Sequence, residues 1–210
     1  MFSLHLNVCT KYIIAKNPVL QTLIKVSLYP CKKYISLLGE RASILDVGCG
    51  EGILSRLLRE YFNSKVVGLD QDINRIQIAI RANRDTEIEF FYQDFLTFES
   101  NSKFDLIVFN DFLHHKSSLQ QKLFLDRAIS LLTDNGKILI KDIDNLRSLD
   151  YALTSRIDKI NYPNDFLKFN SREEWESLFD SQALQIEKEF RSIGLMPSNN
   201  WNCILGKRNE

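Results

Sequence analysis

Three glycines at alternate positions, Gly48, Gly50 and Gly52, follow a carboxylate, Asp46, that lies at the end of a short apolar run. Residues without a Cβ let a ligand approach the backbone, and a helix starting just beyond such a turn presents its first N–H groups. The nine residues Ile44 to Gly52, Ile-Leu-Asp-Val-Gly-Cys-Gly-Glu-Gly, therefore describe a strand, a tight loop around Cys49 and a helix start that cradle a ligand. The dinucleotide fingerprint spaces its glycines G-x-G-x-x-G. Here the third glycine comes one residue early, and Asp46 would repel a pyrophosphate while attracting a ligand that carries an ammonium and a sulfonium.

Further polar residues close the next apolar runs. Asp70, followed by Gln71, ends Val66 to Leu69 about 20 residues beyond the glycine loop, where a carboxylate can accept two ribose hydroxyls. It could equally be a helix N-terminal residue, with Asp72 and Asn74 as competing caps. Asp94 and Phe95 follow the third run, an acceptor for an exocyclic amine beside a ring that could cover a base or simply fill the core. After the fourth run come Asn110-Asp111-Phe112-Leu113-His114-His115. Asn110 suits the amino-acid portion of a cofactor. His115, or else His114, could take a proton from a hydroxyl, or the pair could pack under the loop and cap the helix starting near Ser117.

The elements that position these residues alternate. Ser43–Val47, Lys65–Leu69, Glu87–Tyr92, Phe104–Phe109 and Lys137–Ile140 read as strands. Between them, Leu54, Leu57, Leu58 and Tyr61 form one helical stripe, and Ile73, Ile76 and Ile80 a second. Leu125, Ala128, Ile129 and Leu132 form a third, which Asn135-Gly136 is expected to close at positive φ. The continuous apolar run at Phe104–Phe109 suits a strand buried on both faces. The alternation predicts an α/β fold, a doubly wound and mostly parallel sheet with ligands at the carboxyl ends of its strands. Arg147–Ile160 and Ser171–Phe179 read as helices, and Leu184–Ser192 and Trp201–Gly206 as two last strands.

Five segments in order carry a resemblance: Ile44–Gly52, Val-Val-Gly-Leu-Asp at Val66–Asp70, Gln-Asp-Phe at Gln93–Phe95, Phe-Asp-Leu-Ile-Val at Phe104–Val108, and Leu-Leu-Thr-Asp-Asn-Gly-Lys at Leu131–Lys137. Together they resemble the class I S-adenosylmethionine-dependent methyltransferases over roughly Ser43–Asp144. The resemblance implies a Rossmann-like, seven-stranded sheet with a reversed final strand and S-adenosyl-L-methionine as cofactor. It implies that Asp46 and the glycine-loop backbone hold the methionine part, Asp70 the ribose, and Asp94 with Phe95 the adenine. The motif of base-amino methyltransferases would fall at Asn110–Leu113 and lacks its two prolines, and no Pro-Cys nucleophile stands in that loop.

With 210 residues, 44% apolar and 26% charged, the chain has the composition of one sizeable domain, 43–210, behind a helical leader, 1–42. Zero formal net charge argues against a protein built on phosphate binding, so no nucleic-acid partner is expected. The leader concentrates six cations, Lys11, Lys16, Lys25, Lys32, Lys33 and Arg41, against Glu40 alone. Its stripe of Val19, Leu20, Leu23, Ile24 and Leu28 suits either a lid over the pocket or peripheral contact with anionic membrane. Four scattered cysteines form no C-x-x-C pair, and His5 and Asn7 interrupt the opening apolar stretch, so a cytoplasmic protein is expected. Asp111, Asp142 and Asp144 fix no metal geometry, and no metal is expected. Lys141-Asp142-Ile143-Asp144 ends the fifth strand and is expected as surface charge, the alternative being a border of the acceptor site. Tyr151, Tyr162, Phe166 and Phe169 either fill the core or point to a small hydrophobic acceptor of lipid, quinone or polyketide type, the alternatives for the function being an RNA or protein acceptor or a non-catalytic cofactor-binding scaffold.

Overall fold

The computed structural model describes residues 42–143, 156, 159, 166–192 and 200–208. The leader expected over 1–42 lies, apart from residue 42, outside the described residues, as do Tyr151 and Tyr162.

Seven strands run β1 (Ser43–Val47), β2 (Lys65–Asp70), β3 (Glu89–Tyr92), β4 (Phe104–Asn110), β5 (Leu132–Ile143), β6 (Leu184–Ser192) and β7 (Asn200–Lys207). They form one sheet in the order β3-β2-β1-β4-β5-β7-β6. Strands β1 to β5 pair in parallel, and β7 runs antiparallel to both of its neighbours, so the reversed final strand is borne out. Strand order changes direction between β1 and β4, which opens a crevice at their carboxyl ends.

The α-helices bounded among the described residues are α1 (Ile53–Phe62), α2 (Ile73–Ala82), α3 (Ser118–Leu131) and α4 (Arg172–Asp180). Side-chain alternation along the buried strands divides the core. Leu45, Val47, Ile107, Phe109, Ile138 and Ile140 meet Phe124, Leu125 and Ala128 of α3 on one face. Ile44, Val66, Leu106, Val108 and Leu139 meet Leu54, Leu58 and Phe62 of α1 on the other.

Two helical expectations change. The stripe of α2 is Ile76, Ala79 and Ala82, whereas Ile73 and Ile80 are 43% and 49% exposed. Asn135-Gly136 does not close α3, which ends at Leu131 and passes straight into β5. Neither residue has positive φ. The pair lies where the β4–β5 register slips, Phe104 facing Leu132 and Leu106 facing Lys137. Glycine is needed there for space, because a Cβ at position 136 would stand 2.9 Å from both the Phe104 carbonyl oxygen and Leu132 Cδ2. Gly136→Ala should therefore cost about 1–3 kcal/mol, the usual range for overpacking, read by urea denaturation; wild-type stability would disprove the close approach.

Candidate active site

The turn after β1 places Gly48, Gly50 and Gly52 at φ +73°, +56° and +75°, the left-handed region in which a side chain is strained. The turn satisfies most of its own donors. The N–H groups of Gly48 and Cys49 donate to the Leu69 carbonyl at 2.8 and 2.9 Å, and that of Gly52 to the Cys49 carbonyl at 2.9 Å. What the loop offers a ligand is closeness and the carboxylates around it. At Gly48 the space a Cβ would take is filled by the ring of Phe112.

Asp70 stands at the mouth of this loop, half-buried. Its Oδ2 accepts from the Gly50 N–H at 2.8 Å and its Oδ1 from the Asp72 N–H at 2.8 Å. A carboxylate has about four lone-pair directions, so each oxygen keeps one for a ligand. The cap of α2 is Asp72, which accepts from Asn74 and Arg75 N–H groups and leaves Asp70 out of that role. Gln71 is exposed beside it.

Asp46 is buried at the end of β1, where its Oδ2 accepts the Ser55 hydroxyl at 2.6 Å. Burial, reinforced by the nearby charge of Asp70 and only partly offset by the Ser55 hydrogen bond, pushes its carboxyl up from 3.8 to about 7. A cation placed beside it would favour ionisation. Ser55, fully buried on the inward side of α1, escaped the sequence reading; a hydroxyl beside the apolar stripe of Leu54 and Leu58 was the available signal.

Asp94 is half-buried and accepts the Leu96 N–H at 2.8 Å, capping a short 3-10 turn at Phe95–Thr97. The ring of Phe95 is corrected to a core residue: it is 2% exposed and packs on Phe109 and Phe124 at centroid distances of 5.6 and 5.4 Å. The Cys49 side chain likewise turns inward against Gly68, its thiol kept neutral by burial.

Asn110 ends β4 half-buried, with its Nδ2 donating to Asp111 at 3.1 Å and its buried Oδ1 lacking a partner. That orphaned acceptor stands at the end of β4, one residue beyond the register partner of Val47 at the end of β1, and fits a ligand ammonium, which needs an acceptor at such a position. Beyond it, the two histidines differ. His114 is buried, with Nδ1 2.6 Å from Asp142 Oδ1, its N–H on Asp142 Oδ2 at 3.1 Å, and its ring stacked on Phe169 at 5.2 Å. His115 is half-buried, its ring 4.2 Å from that of His114. Neither caps α3, whose capping box is Ser117 with Gln120.

Lys141 and Asp142 are not surface charge: they are 1% and 0% exposed. Each is paired, with Asp111 and His114 respectively, which is how charge is tolerated in a core. Phe169 belongs to the histidine stack, and Phe166 is 57% exposed. Among the described residues no group of His, Cys, Asp and Glu could hold a metal ion, and no helix is long and apolar enough to cross a membrane.

A family model described as a methyltransferase domain matches residues 38–188. The mitochondrial ubiquinone biosynthesis O-methyltransferase of Dictyostelium discoideum is 27% identical over 176 residues, covering 74% of this chain and 53% of that protein. The chain spans about half, or less, of the length of the curated relatives it matches. A crystal structure from Pyrococcus horikoshii shares the fold with a TM-score of 0.72 at 19% identity, covering 94% of this chain and 95% of that one. Magnesium protoporphyrin IX methyltransferase from Synechocystis, solved with bound S-adenosylhomocysteine, follows at TM-score 0.66 and 15% identity, covering 93% and 91%.

Proposed function

The chain belongs to the class I S-adenosylmethionine-dependent methyltransferase family, and from that premise we propose that it transfers a methyl group to a small hydrophobic acceptor of lipid, quinone or polyketide type in the cytoplasm. The observation that carries the cofactor assignment is the series of polar residues at or just beyond the carboxyl ends of β1 to β4, Asp46, Asp70, Asp94 and Asn110 with its orphaned Oδ1, of which Asp70 is hydrogen-bonded to the glycine loop at Gly50. Support for a small-molecule acceptor comes from the relative named for ubiquinone biosynthesis, and the zero net charge of the chain argues against a nucleic-acid acceptor. The cysteine pattern suits a reducing compartment.

In this reading Asp46 and Asn110 hold the ammonium of the methionine part, with Gly48, Cys49 and Gly50 allowing close backbone approach. Asp70, beside Gln71, accepts the ribose hydroxyls, and Asp94 accepts the adenine amine while the Phe95 ring supports the turn from beneath. The cofactor supplies an already activated methyl group, so the protein's task is alignment and exclusion of water. His115, the more exposed of the pair, takes a proton from a hydroxyl acceptor, and His114, clamped by Asp142 and Phe169, positions the loop that carries it.

Incubation with cofactor labelled in its methyl group and separate lipid, metabolite, RNA and protein fractions tests the acceptor class. Label should enter the lipid or metabolite fraction, and His115→Ala should slow that transfer about 10- to 100-fold, within the range of general base catalysis. Label in RNA or protein alone would overturn the acceptor class, and undiminished transfer by the variant would remove the base.

A further inference from the structure

Asp111, the first residue after β4, has φ +50°, a conformation that costs a residue with a side chain. It is held there by its N–H, which donates to the Lys141 carbonyl at 2.7 Å. In this posture a single oxygen, Asp111 Oδ2, receives two donors: Lys141 Nζ at 2.5 Å and Asn110 Nδ2 at 3.1 Å. The donors come from adjacent strands, since Asn110 of β4 is the register partner of Lys141 of β5. Their Cα positions are therefore fixed by the sheet. The acceptor is the loose partner, because the Asp111 side chain is 40% exposed while that of Lys141 is 1% exposed.

A buried lysine on a central strand is expensive, and an apolar side chain would serve the core as well or better. Stability alone therefore gives no reason for Lys141. The pair of donors does have the chemistry of an oxyanion site: one fixed cation and one amide N–H converging on one oxygen. That oxygen lies at the carboxyl end of β4, next to the residue whose other side-chain atom, Asn110 Oδ1, faces no protein partner.

We infer that the position filled by Asp111 Oδ2 is the binding point for an anionic oxygen of the methyl acceptor, and that Asp111 is an internal stand-in which the acceptor displaces. This rests on the methyltransferase reading above and narrows its acceptor to a phenol or enol that binds ionised, or to a carboxylate. An ammonium acceptor would meet the charge of Lys141 and is disfavoured. The step balances. A lone pair of the acceptor oxygen forms the new O–CH3 bond as the S–CH3 bond breaks with its electron pair going to sulfur. The oxyanion and sulfonium charges cancel, leaving a neutral thioether and a methyl ether or ester. The proton of a phenol or enol passes to His115 as the acceptor binds, and a carboxylate acceptor arrives without one.

The test uses the full chain saturated with S-adenosylhomocysteine, with 4-nitrophenol and 4-nitrobenzoate as separate probes. Calorimetry reads affinity, and absorbance reads the ionised fraction of the phenol. Wild type should bind at least one probe as its anion: the phenolate alone identifies an ionising hydroxyl acceptor, and the benzoate alone a carboxylate acceptor. Lys141→Met should weaken that binding at least tenfold. Asp111→Gly, which removes the stand-in and relieves the positive φ, should strengthen it at least threefold. Both variants should bind S-adenosylhomocysteine within twofold of wild type. Should Lys141→Met fail to fold, the gain in Asp111→Gly decides alone. Absence of probe binding to the saturated wild type, full binding by Lys141→Met, or no gain in Asp111→Gly would overturn the oxyanion site. Failure of wild type to bind S-adenosylhomocysteine at all would instead overturn the methyltransferase reading.

Discussion

Asp70→Ala is expected to weaken S-adenosylhomocysteine binding about a hundredfold, with a matching loss of transfer at low cofactor concentration. The figure follows from what the carboxylate has left to give. Gly50 and Asp72 each take one lone-pair direction, and two remain for the ribose hydroxyls. Hydrogen bonds to a charged group contribute roughly 1.5–3 kcal/mol each, and about 2.8 kcal/mol is a hundredfold in affinity. The substitution also frees the Gly50 N–H, so part of the loss would come from a looser loop. Asp70→Asn separates the two contributions, because its carbonyl oxygen can still accept from Gly50 while the charge is gone. It should lose affinity by an intermediate amount. Calorimetry on both variants, with circular dichroism as a check of folding, reads the result. Unchanged affinity in Asp70→Ala would refute the ribose role.

How far the sequence discloses this site depends on where each partner lies along the chain. The strand ends are legible because an apolar run that stops at a polar residue is a local signal, and Asp46, Asp70, Asp94 and Asn110 all stand at such stops or just beyond one. Lys141 and Asp142 end a run in the same way, yet their burial depends on Asp111 and His114, about 30 residues earlier and outside any regular element that periodicity detects. Read alone, a Lys-Asp pair after a strand is a solvated end. Phe95 is ambiguous for a similar reason, since a phenylalanine after an acidic residue covers a ligand or fills the core according to where Phe109 and Phe124 stand. On α2, isoleucine attracts the eye, whereas the face close to β3 admits the smaller Ala79 and Ala82. In each case the local chemistry is readable and its direction is not, because direction is set by contacts between distant segments.

The second large effect separates stability from binding at one residue. Asp46 in the folded chain titrates near 7, whereas its ordinary value is 3.8. Between those values the native state keeps a proton that the unfolded chain has lost, so this group makes stability fall as pH rises from about 4 to about 7, and stay level above. At pH 8 the strain of the ionised, buried carboxylate is on the order of 4 kcal/mol. Asp46→Asn removes the charge while keeping an oxygen for the Ser55 hydroxyl, and should raise stability by about 2–4 kcal/mol at pH 8 and hardly at all at pH 4. Cofactor affinity should move the other way. A ligand ammonium favours the ionised form, so wild-type affinity should fall up to about tenfold for each pH unit below 7, while Asp46→Asn binds weakly and without that slope. Denaturation curves at pH 4 and 8, and calorimetry between pH 5.5 and 8, give both halves. A variant that is no more stable at pH 8 would show that the carboxylate is not strained, and a wild-type affinity flat across pH 7 would show that Asp46 does not face the ammonium. If both halves hold, the chain keeps an ionised carboxylate in its core at a cost in stability because the ligand's positive charge repays it, as expected of a residue retained for function rather than for the fold.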